Sequence, residues 1–462
     1  MYKAQVVLGV VPTKRGFLPM DEAKRQKDMF MKVVRGVKPD AVKLVDVDDI
    51  CENGIAFEMD KVPAIVDKLK KAEIDALFIP FCDFGEESVV AAVASAFCVP
   101  VLVWGNRDET VNTAVTRGRD TQCGMFAATK VLRRHGVKFS YIFNCETQSE
   151  EFRNGLETFI RTANILKDLD GLRIAKIGER PGPFMSVMTN EANLIKRFGI
   201  TTVPISPSAV ANLTNKLLEE NGTELQEYYK DVTARMDASS MEAEKVMKIC
   251  AATLAVEQLM LRNGCSAAAI ECWPGCIQAL GVPVCMILGE LTDRGMPVSC
   301  ETDVNGAITM AIMRAALLGE QACFLADLTI RHPQNDNAEL LWHCGPFPYS
   351  LKASDSKAAL VGGQENFELR QGELTLCRFD DIDGEYYLFA GEGRTTTGPA
   401  TTGTYVWMEV DCWKKWEERL MYGPYIHHIG GMYGKLFPAL REAARYLDIK
   451  LDHPDADGPK CL

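Results

Sequence analysis

Glu301 and Asp303 stand at the entrance to a nearly all-apolar segment, SCETDVNGAITMAIMRAALLG at residues 299–319, and Asp327 follows a second apolar run in FLADLTIRHP. Carboxylates are costly to bury unless something pairs with them. Asp303 has a local use as the cap of the helix that begins there. Glu301 has none. Histidines are scarce, only six in 462 residues. His343 sits in LLWHCGPFP behind another apolar run, and His427 and His428 form a pair in GPYIHHIGG. Two carboxylates and one or two imidazoles make a site for a divalent metal such as Mn²⁺, with Co²⁺ or Mg²⁺ also suited. The intervals from Glu301 to Asp327, to His343 and to His428 are 26, 16 and 85 residues. That is no local metal motif, and a single His behind an apolar strand is more often a hydrogen-bonded core residue.

The elements that must position these groups divide the chain into three stretches. Residues 1–168 alternate strand-like runs (AQVVLGVVP, AVKLVDVDD, DALFIPFCDFG, VPVLVWGNRDE) with amphipathic helical runs. That rhythm implies a doubly wound parallel sheet with helices on both faces, a Rossmann-like layer. It restarts in 169–352, with LRIAKIGERP, ITTVPIS and AAAIECWPG as strands and a long polar helical stretch at about 213–263. This second α/β domain is expected to carry the acids: strands on either side of the 299–319 helix would form a β-α-β unit that brings Glu301 and Asp327 to neighbouring strand ends. Residues 353–462 alternate apolar and polar positions, punctuated by QGE, IDGE and GRTTTGPATTG, and close with a helix. They read as an antiparallel β-barrel-like domain.

The formal net charge of −12 speaks against a nucleic-acid partner and against an anionic membrane surface. No segment reads as a membrane span, and the Val-rich start fits a first strand better than a signal peptide. A cytoplasmic location is expected. Sixteen cysteines without an export signal read as reduced thiols, mostly small buried hydrophobes. The C-x-x-x-C of ECWPGC is weak zinc evidence on its own.

CETDVNGAITM and FLADLTIRHP resemble the two acidic metal-binding segments of the L-fucose isomerases, and GVVPTKRG is similar to their first strand and loop. The order of Glu, second acid, His and His-His pair is similar, more distantly, to the L-arabinose isomerases. The resemblance implies a metal-dependent aldose–ketose isomerase working through an enediol, with Mn²⁺ as the expected ion. Glu301 and Asp327 map onto the metal-binding and acid/base carboxylates, and His428 onto the C-terminal metal histidine with His427 as the alternative. His343 maps onto the extra histidine ligand of the arabinose isomerases. The resemblance also implies a homo-oligomer, trimer or hexamer, in which a neighbouring subunit completes the pocket.

A sugar pocket needs aromatic planes and hydrogen-bonding groups. Trp104 and Trp273 each follow a strand and either stack on the sugar or pack at a sheet edge. Glu271 and Asn106 are polar candidates. Arg15, in the first strand-to-helix loop, binds a hydroxyl or an anion or is simply an exposed loop residue. The expected substrate is a sugar like L-fucose or D-arabinose. A sulfonated or phosphorylated hexose is the alternative, for which Arg15, Arg107, Arg331 and Arg394 are available cations. A non-catalytic sugar-binding protein is the reading from a different class.

Overall fold

The computed structural model describes residues 2–109 and 118–456. They form two compact units, one drawn from residues 3–167 and one from residues 168–456 together with Tyr2. In the first unit, β1 (Val6–Val10), β2 (Val42–Val45), β3 (Ala76–Phe81), β4 (Val101–Gly105) and β5 (Phe139–Tyr141) form one parallel sheet in the order 2-1-3-4-5. Strands β3 and β4 are buried at every position, as apolar runs covered on both faces must be. Side chains from the flanking helices, including Ile65, Leu69, Val90 and Val93, close over Leu77 and Ile79.

The second unit begins with another parallel sheet: β6 (Arg173–Ile177), β7 (Thr201–Ile205), β8 (Ala267–Ile270) and β9 (Val298–Ser299), in the order 7-6-8-9. The long helical stretch resolves into Pro207–Glu220, Thr223–Arg235 and Ala243–Arg262. The first break falls at Asn221, which takes a left-handed conformation and ends its helix. Beyond residue 320 come β10 (Phe324–His332), β11 (Asn335–His343), β12 (Ala359–Val361), β13 (Gln364–Glu368), β14 (Glu373–Ile382), β15 (Glu385–Thr396), β16 (Thr404–Glu409), β17 (His428–Tyr433) and β18 (Lys450–Asp452). Six of them, in the order 16-11-10-17-14-15, close on themselves through the β15–β16 pairing into an antiparallel barrel.

One expectation changes. β10 and β11 belong to the barrel, not to the second parallel sheet, so Asp327 lies inside an antiparallel strand and not at the end of a parallel one. A three-residue apolar run such as FLA fits either setting, and only the pairing decides. Both the second parallel sheet and the barrel lie in the second compact unit. The helix Val304–Ala316 is the reason: all thirteen of its residues are buried, and it touches β8 and β9 on the parallel side and β14 and β17 of the barrel. Among the described residues no single helix is long and apolar enough to cross a membrane.

Candidate active site

The site forms where the turn after β9 meets the barrel. That turn carries Glu301 and Thr302, both left-handed, with φ of 57° and 54°. Two consecutive non-glycine residues in that region are strained, and such strain persists only where the surroundings fix it. Here the Thr302 hydroxyl donates to the Glu179 carbonyl at 2.9 Å, and Asp303 caps the following helix by accepting from the Gly306 amide at 2.8 Å. The turn aims the Glu301 side chain at the barrel. Its Oε1 accepts from the Trp273 indole N–H at 3.1 Å.

Asp327 and His428 face each other across the antiparallel pair β10–β17. Directly opposed residues have neighbouring side chains, so register alone brings them together. His428 Nε2 lies 2.9 Å from Glu301 Oε2 and 3.6 Å from Asp327 Oδ1. On the other side of the ring, Nδ1 lies 2.8 Å from Asp303 Oδ2. Asp303 in turn binds the fully buried Arg378 guanidinium at 2.6 and 3.2 Å, and Arg378 also holds Asp380. A permanently charged Arg keeps Asp303 ionised: burial alone would raise its carboxyl, but Arg378 and His428 hold it well below the usual carboxylate range. Asp303 is therefore both the helix cap expected from the sequence and the group that orients His428.

These contacts set the electrostatics. Burial works to lower the His428 pKa, but the carboxylates of Asp303, Glu301 and Asp327 overcome it and push it to about 9. Burial raises Glu301, and His428 more than reverses this, leaving it lowered. His427 goes the other way, lowered by burial and by the charge of His428. Cys300, the residue before Glu301, is enclosed; burial and the neighbouring carboxylates hold its thiol well above the ordinary range.

The donor set fits a divalent cation. Glu301 Oε2 and Asp327 Oδ1 are buried oxygens with no hydrogen-bond donor. With its ring proton on Nδ1 facing Asp303, His428 presents the Nε2 lone pair to the same space. Lone pairs converging without protons between them need a second ring proton or a cation. The carboxylate behind the imidazole is the arrangement that orients metal-binding histidines. Glu301, His427 and His428 also place one ligand atom each within 4.8 Å of one another.

The other expected site residues separate clearly. Trp273 is 37% exposed and stands beside Glu301, with Phe184 ring-to-ring at 5.7 Å. Phe184 also lies 5.9 Å from the His427 ring and 6.5 Å from His428. His343 Nε2 is 3.9 Å from Asp327 Oδ1, but its Nδ1 accepts from the Cys344 amide at 2.8 Å. That bond leaves the ring proton on Nε2, facing the site as a donor. Glu271 is not aimed at a sugar: its carboxylate accepts from the amides of Gly275 and Glu179, at 3.1 and 2.9 Å, and so ties the 178–184 loop to the turn at Trp273.

Arg15, Trp104 and Asn106 belong to the first unit. Trp104 offers no stacking face: it is 0% exposed, with its ring 4.0 Å from that of Phe152 and 6.0 Å from that of Phe30. An inward-facing residue on a strand buried on both sides has no open plane. Asn106 is satisfied inside that core, donating to Gln26 and accepting from the Thr147 amide. Arg15 pairs with Glu86 and Glu87 at 3.1 and 3.4 Å. Missed from sequence were the orienting role of Asp303, its partner Arg378, and the loop residue Phe184. Asp303 was in view, one residue from Thr302, but capping explained it locally and hid its second contact.

The sequence model for the fucose/sulfoquinovose isomerase N-terminal domain matches residues 9–170. A sulfoquinovose isomerase from Priestia aryabhattai is 27% identical over 414 residues, covering 87% of this chain and 90% of its own. Sulfoquinovose isomerases from Alkalicoccus urumqiensis and Clostridium sp. (strain MSTE9) are 28% and 24% identical, each covering 70% of this chain and 73% of its own. The chain is fucose isomerase-like. It is an aldose–ketose isomerase, and the non-catalytic alternative falls away. Among solved structures, an ABC transporter solute binding protein from Bacillus halodurans C-125 with bound myo-inositol aligns at 15% identity over 68% of this chain and 90% of its own, with a TM-score of 0.17.

Proposed function

We propose that this isomerase acts on a sulfonated hexose of the sulfoquinovose type and requires a divalent cation. The carrying observation for the substrate is the likeness, over 87% of the chain, to a protein named sulfoquinovose isomerase. It favours the sulfonated alternative over the L-fucose or D-arabinose-like sugar first expected. For the cation, the supporting observation is the pair of donor-free oxygens facing His428 Nε2.

Glu301, Asp327 and His428 would hold the ion. A divalent ion bound there supplies Lewis acidity, stabilising negative charge on the two substrate oxygens at C1 and C2. The chain's own groups do the rest. Asp303 and Arg378 fix the tautomer and angle of His428. Trp273 holds Glu301 Oε1, which leaves Oε2 as its aimed oxygen. A carboxylate of the Glu301–Asp327 pair takes the proton from C2 of the open-chain aldose and returns it to C1, passing through an enediol. The ring planes of Trp273 and Phe184 flank that space and keep water from the intermediate.

A sulfonate needs a cation that is not already committed. Arg331 and Arg394 are paired with Asp336 and Glu409, Arg15 with Glu86 and Glu87, and Arg107 belongs to the first unit. Arg180, on the loop that carries Phe184, donates only to the carbonyls of Pro181 and Gly182 and has no carboxylate partner among the described residues. We assign it to the sulfonate. The first prediction follows: with Mn²⁺ the protein converts sulfoquinovose to its ketose and, in D₂O, leaves deuterium on C1. Arg180→Ala raises KM for the sulfonated sugar about tenfold or more, the loss of one charge-assisted contact, while the unsulfonated sugar is unaffected. Equal losses on both sugars reject the assignment, and no turnover of either rejects the substrate reading. The proposal includes a homo-oligomer, trimer or hexamer, read by sedimentation.

A further inference from the structure

The loop that carries Arg180 is tied to Glu301 from two sides. Glu179, the residue before Arg180, donates its amide N–H to Glu271 Oε2 at 2.9 Å, and its carbonyl accepts from the Thr302 hydroxyl at 2.9 Å. Its own carboxylate is 84% exposed and lies 3.5 Å from Lys176, so what the ties hold is the backbone. Glu271 Oε1 accepts from the Gly275 amide at 3.1 Å, which closes the turn of residues 272–275. Trp273 stands on that turn and donates its indole N–H to Glu301 Oε1 at 3.1 Å. Thr302 follows Glu301 in the chain. The contacts therefore form a ring that runs from Glu179 through Glu271, Trp273, Glu301 and Thr302 back to Glu179. The Glu271 carboxylate has no slack, since a Cβ at Gly178 or at Gly275 would strike it. The left-handed pair Glu301 and Thr302 is strained, and a ring that grips both residues is the kind of surrounding such strain needs.

We propose that Glu271 is a positioning residue that couples the charged end of the substrate to the Glu301 carboxylate. This inference rests on the assignment of Arg180 to the sulfonate. A sulfonate on Arg180 fixes the loop, and Glu271 and Thr302 pass that restraint to the Trp273 turn and to Glu301. Binding energy from a remote, unreacting group is then used to orient a reacting one, so a sugar without that group loses kcat as well as affinity. The chemistry of Glu271 suits this task. A carboxylate accepts at both oxygens, whereas a carboxamide of the same shape accepts at only one and turns an N–H₂ toward the other amide N–H. Glu271 thus acts on specificity without touching the sugar.

The test compares kcat for sulfoquinovose with kcat for the same sugar lacking the sulfonate, using full-length, Mn²⁺-loaded enzyme and its Glu271→Gln variant. The expected result is that the ratio of the two kcat values falls about tenfold or more in Glu271→Gln, the effect of losing one hydrogen bond to a charged group. Arg180→Ala should lower the same ratio, and adding Glu271→Gln to it should lower it no further, because residues that act through one link are not additive. Equal losses on both sugars overturn the proposal, since a merely structural residue has that effect. An unchanged ratio in Glu271→Gln, beside a raised KM for the sulfonated sugar in Arg180→Ala, overturns the coupling and leaves the substrate reading standing. No turnover of sulfoquinovose by the parent overturns both. Should Glu271→Gln fail to fold, the opposite side of the ring decides. Thr302→Val should lower the ratio, and Thr302→Ser, which keeps the hydroxyl, should preserve it; the same ratio in these two variants rejects the coupling.

Discussion

At His428, three carboxylates compete for two ring nitrogens. Asp303 takes Nδ1, and Glu301 and Asp327 face Nε2. These carboxylates push the ring's pKa up to about 9, so below that pH the metal-free ring holds a second proton. A folded-state pKa above the ordinary His value stabilises the fold fully below about 6.5, and the contribution is lost as pH rises through 9. Chelated protein should therefore melt progressively lower from pH 6.5 to 9, by roughly 1.4 kcal/mol per pH unit in stability, and His428→Gln should flatten that slope. An unchanged slope in the variant would show that another group titrates. Glu301→Gln should lower kcat by about a thousandfold or more, as loss of a proton-transferring group does, while far-ultraviolet circular dichroism stays the same. Near-normal turnover would remove Glu301 from the reaction. At this scale the sequence singled out Glu301 and Asp327 as acids needing partners. It could not choose between His427 and His428, because the choice is made by the register in which Asp327 opposes His428.

The elements were legible where one rule governed them. Doubly covered strands such as β3 and β4 read as unbroken apolar runs, and the barrel strands β14 to β16 as alternation. β10 obeyed neither rule over its first residues, and its partner β17 lies about a hundred residues away in the chain, so no local pattern could place it. What joins helix Val304–Ala316 to β17 is small side chains. A Cβ at Gly430 would strike Met313 and Thr309 of that helix, and one at Gly431 would strike the Phe324 ring. Gly430→Ala should thus destabilise the protein by about 1–3 kcal/mol through overpacking. It should also weaken ion binding, because β17 carries His428 at its first position. Urea melts and Mn²⁺ titration read the two effects; a stable variant with intact ion affinity would show that the strand can shift without cost.

For the molecule as a whole, the strand–helix rhythm indicated layered α/β parts and the apolar–polar alternation a barrel, and the barrel lies in the compact unit drawn from residues 168–456. That unit contains a buried acid with no role in the site. Glu365 on β13 is fully enclosed, and neither carboxylate oxygen has a hydrogen-bond donor. Burial, and after it the nearby Glu290, push its pKa well above the usual range. A carboxyl raised in the fold stabilises it only below the ordinary value and costs roughly 1.4 kcal/mol for each pH unit above it, until the folded pKa is reached. Glu365→Gln, neutral at every pH, should exceed the parent in stability at pH 8 and show no such gain at pH 4. Equal stability of the two proteins at pH 8 would refute this. The same unit also separates its tasks. Asp303 begins a helix locked between two sheets, whereas Arg180 and Phe184 ride on a surface loop held by a few hydrogen bonds. Appetite for a new sugar can therefore arise by rewriting residues 178–184 with the proton-moving acids left in place. Divergent descendants of this scaffold should keep Glu301, Asp303, Asp327 and His428 and differ in that loop.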